Sequence, residues 1–335
     1  MGVSTRSTVV ALFGLCMLGP VAGQDAQFTQ FYAAPTYLSP AFAGTAAQSR
    51  LAMQYRDQWP SIPGAFITYN VAFDHYLNEL KSGIGLIATH DRAGSGAMSY
   101  TSITGQYAYE IQLKRKVFLR PALQFGYVNH AVDYSRLVFG DQLARGGDIS
   151  SYEAQPRRNV GYIDLGSGLL FFTPRLWLGM ATHHMNRPNQ SLRYAESMVP
   201  QKFSMHGGYR WNIRTAVIRK HPQAVIAAFN YRSQGRYDQL DIGAYYEVDP
   251  VFVGLWYRGL PVKAYAPGVA NRDAISILAG VKVSDWRFGY SYDLTISKLA
   301  GNTGGAHEIS IVYDWADRRR RKAISKRRVM PCAKF

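Results

Sequence analysis

From residue 50 to residue 315 the chain alternates apolar and polar side chains in one short segment after another, and this period of two limits its fold more than anything else. Side chains on a strand point to opposite faces in turn, so a sheet lying between two environments leaves such an alternation in its sequence. Leu51, Met53 and Tyr55 share one face, and Phe203, Met205, Tyr209 and Trp211 oppose Ser204, His206 and Arg210. Later, Phe288, Tyr290, Tyr292 and Leu294 oppose Arg287, Ser291 and Asp293, and Ile309, Ile311, Tyr313 and Trp315 oppose Glu308, Ser310 and Asp314. No stretch holds helical spacing long enough to compete.

The pattern predicts fourteen strands, near 50–56, 66–74, 83–90, 98–110, 117–132, 160–172, 176–184, 203–213, 223–231, 239–247, 251–257, 274–283, 286–293 and 306–315. Their connections sort by parity. Short turns follow even-numbered strands, as at Lys114-Arg115-Lys116, Thr173-Pro174-Arg175, Val248-Asp249-Pro250 and Ser284-Asp285. The long connections, about 133–159, 185–202, 258–273 and 294–305, follow odd-numbered ones. The turn near 214–222 is longer than this rule wants, and the loop at 232–238 is shorter. An even strand count with short turns at one end and long loops at the other is the expected form of an outer-membrane barrel. Alternation alone does not say which face is inside, so a soluble secreted β adhesin or sandwich is the competing all-β reading. Tyr, Trp and Phe near strand ends, and an export signal, favour the membrane.

That signal occupies residues 1–23: Arg6, an apolar run from Val9 to Leu18, then Gly19-Pro20 and small residues, with cleavage expected after Gly23. A lipoprotein reading centred on Cys16 is weaker, because Leu15 stands where a small residue is expected. The expected organisation is a signal peptide (1–23), a periplasmic or lumenal segment (24–49), an outer-membrane barrel (50–315) and a basic periplasmic tail (316–335). Charged residues make up 18% of the chain and the net charge is +16. Half of that charge lies beyond Trp315, in Arg318, Arg319, Arg320, Arg321, Lys322, Lys326, Arg327, Arg328 and Lys334 against Asp317. Nucleic acid is a poor partner for an exported protein, so the tail points to anionic lipid or to an acidic periplasmic partner. Cys332 is either a free thiol or an intermolecular crosslink.

No catalytic or metal-ligating constellation emerges, so neither an enzyme nor a cofactor is expected. His183 and His184 are adjacent on a strand and would face opposite ways, one to the lumen and one to the interface. Ser204 and His206 share a polar face and suit a lumen lining. Gly83-Ile84-Gly85 sits in a strand and opens no helix, and Gly94-Ser95-Gly96 lacks the spacing of a nucleophile elbow. Arg50, Arg56, Arg120, Arg210, Arg214, Arg232, Arg258 and Lys282 fall on polar faces or strand ends. With Asp74, Asp164, Asp241 and Glu247 they would either close a lumen by ion pairing or line an anion-preferring pore.

Two runs carry a resemblance. Gln24-Asp25-Ala26-Gln27-Phe28-Thr29-Gln30-Phe31-Tyr32, Pro35 and Tyr37-Leu38-Ser39-Pro40-Ala41-Phe42-Ala43-Gly44-Thr45 form one; Gly289-Tyr290-Ser291-Tyr292-Asp293, Ser297-Lys298-Leu299, Gly304-Gly305 and Ala306-His307-Glu308-Ile309-Ser310 form the other. Together with the basic tail ending in Pro331-Cys332, they resemble the PorP/SprF family of the type IX secretion and gliding machinery. The family commonly has Pro at the positions of Ala26 and Ala333. The resemblance implies an outer-membrane barrel that serves a secreted surface adhesin and meets a periplasmic complex. The alternative function is a passive porin or small-molecule transporter. Pro35 and Pro40 keep 24–45 from being a strand. It would be a lumenal plug, a strap on the inner wall or a docking segment, with Phe28, Phe31, Tyr32 and Tyr37 as partner-binding candidates beside the eight tail cations Arg318 to Arg328. Both termini are expected in the periplasm.

Overall fold

The computed structural model describes residues 24–46, 48–94, 98–146, 157–192, 196–214, 222–260, 271–297 and 301–315. The expected signal peptide, the cationic tail and Cys332 lie outside the described residues.

One antiparallel sheet closes on itself. Its strands are β1 (Arg50–Gln58), β2 (Phe66–Leu77), β3 (Ser82–Ala93), β4 (Met98–Tyr109), β5 (Ile111–Lys114), β6 (Val117–Val132), β7 (Asn159–Phe172), β8 (Leu176–His183), β9 (Lys202–Arg214), β10 (Gln223–Gln234), β11 (Tyr237–Val248), β12 (Val251–Gly259), β13 (Arg272–Val283), β14 (Trp286–Thr295) and β15 (Ala306–Asp314). Strands β4 and β5 form one stave, interrupted at Glu110; both pair with β6, where Pro121 has no amide to give a ladder. The wall is therefore a barrel of fourteen staves, closed by β1 pairing with β15. Each predicted strand has its counterpart, most of them a residue or several longer.

Burial settles the question that alternation left open. On β6, Leu123, Phe125 and Tyr127 are 68%, 59% and 54% exposed, while Arg120 and His130 are buried. On β15, Ile309 is exposed and Glu308 fully buried. An exposed apolar face around a buried polar one is the inverse of a soluble sandwich and fits hydrocarbon outside. Aromatic rings gather outside the barrel at its short-turn end, where Trp315 meets Phe73 and Tyr313, and Trp286 meets Tyr313. The connections 78–81, 115–116, 173–175, 249–250 and 284–285 lie at that end, and 133–158, 184–201, 260–271 and 296–305 at the other. The two expected exceptions, 215–222 and 235–236, are also present.

A charge on the outer band should be costly only at membrane depth. Phe125→Arg, mid-wall on β6, should destabilise the barrel by about 2–4 kcal/mol. Leu143→Arg, exposed on the short loop-end helix Gly140–Ala144, should change stability by under about 0.5 kcal/mol. Urea unfolding in lipid vesicles measures both, and equal effects would contradict the assigned faces.

Candidate functional site

Residues 24–46 lie inside the barrel and contain no strand. Two prolines shape their middle: Pro35 opens the single helical turn α1 (Pro35–Leu38), and Pro40 opens a 3-10 turn (Pro40–Phe42) in which Ser39 Oγ accepts from the Ala41 amide at 3.3 Å. Proline suits a first helical position because its missing N–H has no partner there in any case. The segment's remaining polar groups need partners, and the inner wall supplies them at three levels.

The central level is a chain of buried charges. Glu308 on β15 accepts the backbone amides of Thr29 at 2.7 Å and Gln30 at 2.9 Å, and pairs with Arg56 on β1 at 3.2 Å. Arg56 also bridges to Asp293 on β14 at 2.8 Å, and Asp293 to Arg258 on β12 at 3.0 Å. Arg258 continues to Asp241 on β11 at 3.1 Å, and Asp241 to Arg232 on β10 at 2.6 Å. The Thr29 hydroxyl sits in the middle, 2.8 Å from Asp293 and 2.9 Å from both Arg56 and Arg258. The Gln30 side chain donates to the Glu308 carbonyl at 2.8 Å and accepts from Ser310 at 2.6 Å. A Cβ on Gly289 would stand 2.5 Å from Gln30 Oε1, so glycine leaves the room that Gln30 takes.

Below this, Phe31 packs edge-on against Trp256, and Tyr32 against Tyr245 and Phe252. At the short-turn end, Gly44 turns with φ 73°, a conformation that favours glycine, and its amide donates to Asp74, itself paired with Arg50. Arg120, paired with Glu110, donates to the Ala43 carbonyl.

At the long-loop end, the Asp25 carboxylate is 3.0 Å from both Lys202 Nζ and His184 Nε2, and His184 Nδ1 is 2.8 Å from Asp164. Burial disfavours charge on Asp25, yet Lys202 and His184 hold it well below the usual carboxylate range. Burial likewise opposes the imidazolium, but Asp25 and Asp164 outweigh it and push His184 up to about 10.

These positions revise several expectations. The two histidines do not divide between lumen and interface. His183 ends β8 facing inward, and His184 takes φ 56° and turns its ring back inside as well. Ser204 and His206 are buried on the lumen side, as the shared polar face suggested. Phe28, Phe31 and Tyr32 are buried against the wall, and Tyr37 donates to the Ala26 carbonyl at 2.8 Å. The start of β1 and the end of β15 share the short-turn end, but Asp25 lies at the opposite end, beside β8, β9 and β10. Of the expected ion-pair partners, Asp74, Asp164, Asp241 and Glu247 are all engaged, Glu247 by Arg210 at 2.5 Å. The sequence reading missed Glu110, Asp293 and Glu308 as the acids that hold the interior. Two of these lie in the second resemblance run, and that coincidence was the available signal.

The family model for type IX secretion system membrane protein PorP/SprF matches residues 21–313. The chain belongs to the PorP/SprF family. In this PorP/SprF barrel, the two runs that resembled the family are the ones that bind each other, Thr29 and Gln30 against Asp293 and Glu308. No curated protein matches the sequence. Among solved structures, the Acinetobacter baumannii outer membrane protein Omp33 is similar with a TM-score of 0.45 at 7% identity, over 80% of this chain and 98% of that one. The P. putida toluene transporter TodX gives 0.45 at 8%, over 83% and 92%. A Rhodopseudomonas blastica porin gives 0.33 at 7%, over 80% and 99%. At these values the likenesses carry no argument; the closed pairing ladder establishes the barrel.

Removing one member of a buried ion-pair network strands the others. Glu308→Ala should cost about 3–5 kcal/mol in chemical unfolding. Arg136→Ala, which breaks an exposed pair with Asp133, should cost under about 1 kcal/mol. The loop-end clasp has a pH signature. With His184 raised, its contribution is complete below pH 6.5 and is lost as pH rises through about 10. With Asp25 lowered, its contribution is present above 3.8 and is lost as pH falls through the lower value. Protease sensitivity of residues 24–30 should therefore rise from pH 6.5 to 10, and His184→Gln should flatten that rise.

Proposed function

We propose that this chain is a non-enzymatic outer-membrane component of the type IX secretion and gliding machinery that holds or releases a secreted surface adhesin by contact. Family membership carries the reading. The filled lumen favours it over a passive porin, because the buried arginines that could have lined an anion path are instead paired with carboxylates around residues 24–46. The long-loop end then faces outward, since outer-membrane barrels keep short turns on the periplasmic side. The end of β15 and the basic tail lie in the periplasm, where Arg318, Arg319, Arg320, Arg321, Lys322, Lys326, Arg327 and Arg328 would meet machinery subunits or anionic lipid. Gln24 emerges at the adhesin side. Phe28, Phe31, Tyr32 and Tyr37 reach a partner only if the segment leaves the wall; while docked, they hold the lumen closed.

Mild-detergent capture of the tagged protein from native membranes, read by mass spectrometry, should recover a large secreted surface protein and periplasmic secretion components. A lone monomeric barrel would overturn the reading. In planar bilayers the full chain should conduct little, and deletion of 24–46 should open stable channels. High conductance of the full chain would restore the porin alternative.

A further inference from the structure

One inward carboxylate lacks the partner that the others have. Asp74 has Arg50, Glu110 has Arg120, Asp164 has His184, Asp241 has Arg232 and Arg258, Asp293 and Glu308 share Arg56, and Glu247 has Arg210. Asp91 on β3 faces no Lys, Arg or His within ion-pair distance among the described residues; its carboxylate accepts from the buried Thr68 hydroxyl at 2.6 Å. Its surroundings are aromatic. Asp91 stands directly across the ladder from Tyr100 on β4, and Tyr100 from His130 on β6, with the Tyr100 and His130 rings stacked at 4.2 Å and 3°. Tyr162 on β7 stands across from Val128, two residues along β6 from His130, and faces the same space. Where residues 24–46 cover the wall, inward side chains such as Asp293, Glu308 and Asn230 are buried. Here, near the long-loop end, Asp91, Tyr100 and Tyr162 are only half-buried. They therefore form a partly exposed stretch of the inner wall near that end.

A partly buried carboxylate without a paired cation attracts one, and tyrosine faces attract cations as well. Metal ions are poorly served, since no group of three or more His, Cys, Asp or Glu among the described residues could hold one. One carboxylate, hydroxyls and aromatic faces suit an organic cation. We propose that the loop-end patch of the inner wall formed by Asp91, Thr68, Tyr100, His130 and Tyr162 is a binding site for an ammonium or guanidinium group. That group is carried either by a basic side chain of a polypeptide or by a free polyamine. The site goes beyond the secretion reading and does not depend on it, because it is defined by the inner wall alone.

Isothermal titration of the full chain in detergent at low salt, with trilysine, spermidine and triglutamate as probes, tests it. The cations should bind and triglutamate should not. Asp91→Asn should weaken cation binding about tenfold, and Tyr100→Leu, which keeps the carboxylate but removes a ring face, about threefold. Asp133→Asn, at an exposed loop-end carboxylate already paired with Arg136, should leave binding unchanged. Trilysine binding well ahead of spermidine assigns the site to a polypeptide side chain; comparable binding assigns it to a free amine, and both outcomes support a cation site. Wild-type affinity in both Asp91→Asn and Tyr100→Leu, no binding of either cation, or equal binding of triglutamate would overturn it.

Discussion

Two backbone amides, those of Thr29 and Gln30, end on the carboxylate of Glu308, and much of the interior is arranged to make that arrangement tolerable. A fully buried glutamate is stable only if its charge is matched and its oxygens are occupied. Arg56 supplies the match, and Asp293 on β14, Arg258 on β12, Asp241 on β11 and Arg232 on β10 extend it around the wall. Hydrogen bonds to charged groups contribute about 1.5–3 kcal/mol each, more than neutral ones, and breaking one leaves the others uncompensated. The segment that supplies the amides is thus a structural member of the barrel: without it, several charges would face an empty lumen.

This explains why the barrel is polar where a soluble protein would be apolar. Lipid takes the role of the core on the outside, so the inner face need not be greasy; it must only be satisfied. Residues 24–46 satisfy it with backbone groups and a few rings, placing Phe31 and Tyr32 where Trp256, Tyr245 and Phe252 need apolar neighbours and Thr29 where charges need hydroxyls. The same segment is held at one end by Asp25 and at the other by Gly44, so it runs the length of the wall. Any partner that draws it out must replace the hydrogen bonds of Thr29 and Gln30 to the charged wall and the ion pairs of Asp25, not merely an apolar contact.

The wall was legible because its signal is local: strand alternation and turn lengths repeat at short range, and all fourteen staves could be placed from them. Inside and outside were not, since alternation is symmetric; burial of Glu308 beside exposed Ile309 decides it. The lumenal packing was hidden for a different reason. Thr29 and Glu308 are 279 residues apart, and no local pattern links them. Only the joint appearance of both runs in the family resemblance hinted that they meet. His184 was misread because adjacent residues face opposite ways only while the strand continues, and it ends at His183.

Residues 24–46 line the inside of this barrel from its long-loop end to its short-turn end. The account stands or falls on whether Thr29 and Gln30 are held as described. Hydrogen–deuterium exchange of residues 24–46 in the full chain, in bilayers, tests it most directly. The account predicts strong protection of the Thr29 and Gln30 amides, and its loss in Glu308→Ala. Exchange at the rate of an unstructured chain in the unaltered protein would contradict it.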